Sequence, residues 1–248
     1  MPSSTVEDYI KRLYCEQEND PETLVPMGRL AEVMGVVPGT VTTMIKALED
    51  SGLVRYEPRA GARLTPHGEK LALHVLRRHR LVELFLCQTL GLNWSEVHDE
   101  AEQLEHSISD KVLDRIDALL GHPRVDPHGA PIPCANGKIA VQSSQSLASC
   151  RTGRIYRIAR VVDTDAKFLQ FAEKHGLTPD TLVTVESREE SADAVVVTSH
   201  NRGNSCTLGT GAAREFLSSP RRNEKSAREV PCASSQTRFL ISVCAIIE

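Results

Sequence analysis

The sequence predicts a mainly α-helical protein with a smaller β part, and three observations carry that prediction. Short helical periodicities followed by a basic hairpin fill residues 6–75. Helical patterning then continues to about residue 120, and short β-branched runs mark residues 151–217. Helix, turn, helix and hairpin in that order is the pattern of a winged helix-turn-helix. The β-branched runs, with one helix among them, suit a small β-rich barrel.

Thr5-Val6-Glu7-Asp8 opens a first helix that should run to about Glu18, where Asn19-Asp20-Pro21 breaks it. Met27 to Met34 reads as a short amphipathic helix stopped at Gly35. Pro38 suits the first turn of the next helix, since its missing N–H is one that no helix start can pair. That helix, residues 38–50, places Val41, Ile45 and Leu48 on one face. Thr40, Thr42, Thr43 and Lys46 stay largely outside the stripe. Strands at Leu53–Tyr56 and Ala62–Thr65 flank the turn Pro58-Arg59-Ala60-Gly61. On DNA, the second helix of the motif would enter the major groove with its threonines and Lys46. Arg55, Arg59 and Arg63 on the wing would meet phosphates. A small helical domain with a solvated Thr-rich face is the plainer alternative.

Pro66-His67-Gly68 leads into a long helix ending near Leu90. Ser95 is the expected N-cap of a helix over residues 96–107, and a third helix should cover Asp110 to Leu120. Residues 121–150, with four prolines and a Ser-rich run, read as a linker. Beyond it, strands are expected at Ile155–Val162, Leu182–Val185 and Ala194–Thr198. Helices are expected at Ala166–His175 and, for one turn, at Ala212–Leu217. Residues 218–248 end in an isolated apolar stretch, Phe239 to Ile247.

Composition bounds the function classes. Charged residues make up 25% and hydrophobic residues 40%, as in soluble globular proteins. Aromatics are only 4%, so the core must rely on Leu, Val, Ile and Ala. No apolar run is long enough to span a bilayer, and the N-terminus shows neither a basic start nor an apolar stretch, so a cytoplasmic location is expected. The net charge of −4 counts against indiscriminate nucleic-acid binding but not against a regulated DNA binder. Seven scattered cysteines with no Cys-x-x-Cys pair make a disulfide framework or a Cys-rich zinc site improbable. There is no His-Glu-x-x-His pair, phosphate loop or Gly-x-Ser-x-Gly elbow, so no enzyme is expected.

The chemistry concentrates on the 96–107 helix. Set from His98, the side chains of His98, Glu102, Glu105 and His106 project at about 0°, 40°, 340° and 80°. Val97, Ala101, Leu104 and Ile108 fill the neighbouring arc. An apolar stripe beside two carboxylates and two imidazoles suits an internal boundary better than open solvent. His79 and Glu83 share a face of the preceding helix, and Asp8 on the first helix is a further candidate. Oxygen and imidazole ligands on facing helices suit a divalent first-row metal. Solvated Glu–His pairs that only stabilise their helices are the alternative.

At this point the sequence resembles the diphtheria-toxin-repressor family, and within it the manganese-transport regulators. The matching segments include Glu7-Asp8-Tyr9-Ile10, Gly39-Thr40-Val41-Thr42, Leu64-Thr65-Pro66-His67-Gly68, Arg78-His79-Arg80-Leu81-Val82-Glu83, Val97-His98-Asp99-Glu100-Ala101, Leu104-Glu105-His106 and Pro127-His128-Gly129-Ala130-Pro131-Ile132-Pro133. The resemblance implies a winged helix-turn-helix at 1–75, a helical metal-binding and dimerisation domain at 76–140 and an SH3-like (FeoA-like) β-barrel at 150–217. It offers no counterpart for the tail at 218–248. It implies a homodimer that binds palindromic operator DNA when loaded with Mn²⁺ or, alternatively, Fe²⁺, and represses metal-uptake genes. A winged-helix regulator that senses a small organic ligand is the rival.

Carried over residue by residue, the primary metal site is Asp8, Glu102, Glu105 and His106. The resemblance gives two versions of a second site. One draws on His79, Glu83 and His98, the other on Glu83, Asp126, His128 and Asp163. Pro38, Thr40, Thr42, Thr43, Lys46, Arg59 and Arg63 would face DNA. Iron-sensing members carry Met and Cys where Asp8 and Glu102 stand, so the harder donors here favour Mn²⁺. Lys11 stands where short manganese regulators place a metal-binding Glu. It would pair with Asp8 in the metal-free state.

Overall fold

The computed structural model describes residues 3–18, 20–140 and 143–220. The expected apolar stretch at 239–247 lies outside them.

Helix α1 (Ser4–Glu16) starts where the Ser3 hydroxyl accepts a hydrogen bond from the Val6 N–H. It ends two residues before the expected Glu18. Helix α2 (Met27–Met34) stops at Gly35, whose left-handed backbone suits a residue without a side chain. Helix α3 (Pro38–Asp50) carries its proline in the first turn, as expected. Strands β1 (Val54–Glu57) and β2 (Gly61–Leu64) form the antiparallel wing. Ile10, Leu13, Leu30, Val41, Ile45 and Leu48 close a core beneath them. The helical stripe of α3 therefore faces inward and leaves Thr40, Thr43 and Lys46 exposed.

Helix α4 (Pro66–Leu90) is capped by the Thr65 hydroxyl and crosses the expected boundary at residue 75 without a break. It is buried on nearly all sides between residues 75 and 84. Its apolar residues Leu81, Val82, Leu84 and Leu86 pack against α5 (Val97–Leu104) and α6 (Asp110–Leu119).

Two local expectations are corrected here. Ser95 is not the N-cap of α5. Its hydroxyl and its N–H both donate to the Asn93 side chain at 2.9 Å, and Glu96 stands at the cap position. An Asx turn has taken the residue that would otherwise cap. Helix α5 also ends at Leu104 instead of residue 107. Glu105 keeps helical backbone angles at the C-cap, so the angular spacing read from the sequence holds through it.

The C-terminal part is a six-stranded antiparallel sheet in the order β3-β8-β4-β5-β6-β7, with α7 (Ala166–His175) packed on it. The strands are β3 (Gln145–Ser146), β4 (Ile155–Val161), β5 (Leu182–Glu189), β6 (Ala194–Ser199), β7 (Ser205–Gly209) and β8 (Phe216–Pro220). Register shifts in β4 and β5 bend the sheet around its core. The single helical turn expected at 212–217 is α8 (Thr210–Arg214), which gives way at once to β8. Phe216 is fully buried there, and β8 pairs with both β3 and β4. Those long-range pairings, not local propensity, make it a strand. Strand β7 also escaped the sequence reading, because Cys206 and Leu208 are its only two inward side chains.

The proline-rich stretch after α6 is more ordered than a linker. Val125 and Pro131 bridge, and the Asp126 carboxylate accepts from the N–H groups of His128 (2.8 Å) and Ala130 (2.9 Å). Gly129, with φ at +87°, lies so close to the Ala159 carbonyl that a Cβ could not fit. The His128 carbonyl accepts from the Val161 N–H at 2.9 Å. This turn therefore rests directly on the C-terminal sheet.

Candidate metal centre and DNA-binding face

Four consecutive polar residues of α4 are buried: Arg77, Arg78, His79 and Arg80. Buried charges are tolerated only when paired, and each of these has a partner from another element. Arg77 meets Asp117 at 3.0 Å and the Pro133 carbonyl at 2.9 Å. Arg78 reaches Glu7 of α1 at 3.2 Å and the Glu105 carbonyl at 3.2 Å. Arg80 donates to the Pro131 carbonyl and lies 3.6 Å from Asp126. His79 sits between two groups of candidate ligands.

The first group joins α1 to the end of α5. One ligand atom each from Asp8, Glu105 and His106 lies within 4.8 Å of the others. His106 Nε2 is 3.0 Å from Asp8 Oδ1 and 3.4 Å from Glu105 Oε1. Its Nδ1 is 2.7 Å from Glu7 Oε2, which orients the ring. Glu102 stands one helical turn before His106. Its Oε1 is buried without a well-aligned hydrogen bond. Glu102 is not among the three residues whose ligand atoms converge, and the donors that do converge, two carboxylates and an imidazole, fit a hard divalent cation. The set contains carboxylates and imidazole only.

Lys11 changes this picture. Its ammonium lies 2.6 Å from Glu105 Oε1 and 2.9 Å from Glu102 Oε1. Asp8 was its expected partner, but Asp8 is only a weaker electrostatic neighbour. Burial opposes the charge on Lys11, yet Glu105 and Glu102 raise its pKa above the ordinary lysine value. Burial likewise lifts the Asp8 carboxyl, with His106 and Lys11 countering. Burial pushes Glu102 the same way, but Lys11 and His79 outweigh it and hold its carboxyl low.

The other two groups lie deeper and share Glu83. His79, Glu83 and His98 converge within 4.8 Å, and so do Glu83, Asp126 and His128. His79 Nε2 is 3.0 Å from Glu83 Oε1, and His98 Nδ1 is 3.1 Å from that same oxygen. His128 Nδ1 approaches Glu83 Oε2 at 3.9 Å. Three residues of each expected version of the second site thus meet around one carboxylate. Asp163 stands outside both groups. It accepts from the Asp165 N–H at the start of α7.

His79 Nδ1 also binds Glu105 Oε2 at 2.7 Å, so one imidazole links the shallow group to the deep ones. Desolvation opposes its protonation, but Glu83 and Glu105 prevail and raise its pKa to about 9. In return, burial of Glu83 is outweighed by His79 and His98, and its carboxyl is held well below the usual range. Asp126 goes the other way. Burial and the Glu83 charge raise it more than Arg80 and His128 lower it.

On α3, Thr42 and Thr43 donate their hydroxyls to the Pro38 and Gly39 carbonyls at 2.9 and 3.1 Å. Their oxygens remain as acceptors. Pro38, Thr40 and Lys46 are exposed, and so is Arg59 at the wing tip. Arg63 is ion-paired with Glu22 and is less available. Val36 and Val37 are exposed just before α3, a feature the sequence reading passed over. Glu7 was also missed as part of the centre. Its adjacency to Asp8 on a helix that must pack was the available signal.

A winged helix-turn-helix whose first helix reaches into a carboxylate and imidazole centre on neighbouring helices defines a metal-responsive DNA-binding regulator. The comparisons agree. Residues 1–62 match the iron-dependent repressor N-terminal DNA-binding domain, and residues 65–134 match the iron-dependent repressor metal-binding and dimerisation domain. Residues 145–215 match the FeoA domain.

The chain belongs to the iron-dependent repressor family of metal-dependent transcriptional repressors, the diphtheria-toxin-repressor family. It is 30% identical to the iron-dependent repressor IdeR of Mycobacterium tuberculosis (strain H37Rv) over 79% of this chain and 90% of the relative. It is 35% identical to the HTH-type transcriptional regulator MntR of Lysinibacillus sphaericus over 48% of this chain and 84% of the relative. A solved manganese-dependent transcriptional repressor in complex with manganese superposes with a TM-score of 0.82 at 38% identity, covering 87% of this chain and 99% of that one.

Proposed function

We propose that this chain is a Mn²⁺-activated repressor of metal-uptake genes that binds palindromic operator DNA as a homodimer. The observation that carries the reading is the convergence of Asp8, on the DNA-binding unit, with Glu105 and His106 on the helical unit. Glu102 completes the primary site. Asp8 and Glu102 supply hard oxygen donors, which favour Mn²⁺ over softer metals once geometry and availability are set. A second ion would take Glu83 with Asp126 and His128, or with His79 and His98.

The ion supplies positive charge that ties α1 to the end of α5. The chain's own residues do the rest. Glu7 and Arg78 hold α1 against α4, and Glu7 also orients His106. With α1 fixed, the two α3 helices of a dimer are held at one spacing, matching half-sites a helical turn of DNA apart. Thr40, Thr42, Thr43 and Lys46 would then face bases or phosphates, with Arg59 and Arg63 on the backbone. Coupling of about 1–3 kcal/mol is typical of such effectors. We further propose that residues 1–75 and 76–140 act as DNA-binding and metal-binding units despite sharing α4, with 150–217 as the third domain.

The test is operator binding titrated with Mn²⁺ and Fe²⁺ under anaerobic conditions. Activation by Mn²⁺ at lower concentration than Fe²⁺ is expected. The reverse order makes the chain an iron sensor. Binding that ignores both ions and chelator points to a small organic effector.

A further inference from the structure

We propose that Lys11 is a built-in competitor for the primary metal site, an internal cation that occupies the ligand oxygens until a metal ion displaces it. This rests on the functional reading above and concerns the threshold at which the ion takes hold.

Lys11 lies three residues after Asp8, so both project from one face of α1. Its side chain is 5% exposed. Buried lysines of this kind persist only when well paired, and this one is paired with two of the four primary-site candidates.

The atoms involved matter more than the residues. Lys11 holds Glu105 at Oε1. That is the oxygen facing His106 Nε2 at 3.4 Å, and His106 Nε2 faces Asp8 at 3.0 Å. The other Glu105 oxygen is bound to His79. In this arrangement Oε1 is therefore the oxygen Glu105 has to offer an ion, and the ammonium is on it. Lys11 also sits 2.9 Å from the otherwise unsatisfied Glu102 Oε1. An ammonium and a divalent cation cannot crowd the same oxygens without strong repulsion. Metal entry must move Nζ away, and the four-carbon stem allows that without moving the backbone.

Two consequences follow. Without metal, Lys11 neutralises carboxylates that would otherwise repel, so α1 stays near α5. With metal, the ion must outbid a cation tethered at the site, which raises the concentration needed for activation.

The experiment measures Mn²⁺ affinity of the metal-stripped full chain by calorimetry, with melting temperatures of the stripped and saturated forms. Lys11→Gln is expected to bind Mn²⁺ at least tenfold more tightly than wild type. Its stripped form should lose more melting temperature than its saturated form. Lys11→Arg should stay within about threefold of wild type, because the charge remains.

Arg12→Gln separates displacement from a general field effect, since Arg12 lies 3.6 Å from Glu102 but is partly exposed. It should tighten binding far less than Lys11→Gln. Lys11→Gln binding no more tightly than wild type, or Arg12→Gln matching it, overturns the inference. If Lys11→Gln fails to fold, Lys11→Met is read by the same criterion. A wild-type chain that binds no Mn²⁺ at all instead sinks the reading of the cluster as a metal site.

Discussion

Asp8, Glu105 and His106 meet across the boundary between the winged unit and the helical unit, whereas Glu83, Asp126 and His128 meet inside the helical unit. The residue types are the same, but the mechanical settings differ. In the first group Asp8 and His106 are partly open to solvent, and a lysine from α1 already fills the gap. In the second all three residues are buried, and Arg80 of α4 lines the wall. Its Asp126 is committed to two backbone N–H groups of a turn that touches the C-terminal sheet. A charge change in the first group can alter how α1 sits. The same change in the second acts first on the turn and the sheet beside it, and meets α1 only through His79 and Glu105. The comparison teaches that similar ligand chemistry can sit in different mechanical settings. Only the first group has a residue on α1.

The sharpest way to break this contrast is Glu105→Ala. Glu105 is fully buried and holds Lys11 and His79 at once. Its removal takes one of two carboxylate partners from each, leaving Lys11 with Glu102 and His79 with Glu83, and a loss of about 3 kcal/mol in stability is expected by denaturant unfolding of the stripped protein. Unchanged stability would show that these pairs are dispensable.

Next comes the pair Asp8→Ala and Asp126→Ala. Asp8→Ala should weaken Mn²⁺-dependent operator binding about a hundredfold, or roughly 2.7 kcal/mol, with little effect on stability. Asp126→Ala should do the opposite. Loss of its two backbone partners costs about 1–3 kcal/mol in stability, while the operator response falls less than tenfold. Equal effects on DNA binding would erase the distinction between the groups.

Glu102→Cys should move the metal ranking toward Fe²⁺ by about tenfold, or 1.4 kcal/mol. An unaltered ranking in the operator assay removes Glu102 from the primary site.

The smallest effect is on pH. His79, raised to about 9 from 6.5, contributes stability that is complete below pH 6.5 and lost as pH rises through 9. The stripped protein should therefore melt at progressively lower temperature between those values. Glu83, held low, protects the fold above its ordinary range and ceases to do so only in acid. A flat melting profile from pH 6.5 to 9 would mean that His79 is not charged at neutral pH.

Much of the fold was legible because its signals are local. The stripe Val41, Ile45 and Leu48, the glycine after α2 and the proline opening α3 each act through their own backbone or helix face. Elements that depend on distant partners were not legible. Strand β8 exists because β3 and β4 flank it, and Ser95 fails as a cap because Asn93 competes for it. The candidate site shows the same division. Helical spacing on α5 and α4, and the resemblance, brought out Glu102, Glu105, His106, His79, Glu83 and His98. Spacing says nothing about burial, so nothing in the sequence marked Arg77, Arg78 and Arg80 as the buried, paired charges that they are. Asp163 was expected from resemblance and stands apart from the groups that converge.

The sequence by itself determined the residue types and their helical phase, since these depend on composition and on the fixed geometry of a helix. Only the tertiary structure decided which oxygens meet which cations. The partner of Lys11 turned from Asp8, three residues away, to Glu105, 94 residues away. That contact is set by how α1 packs on α4 and α5, and no local rule reaches so far along the chain.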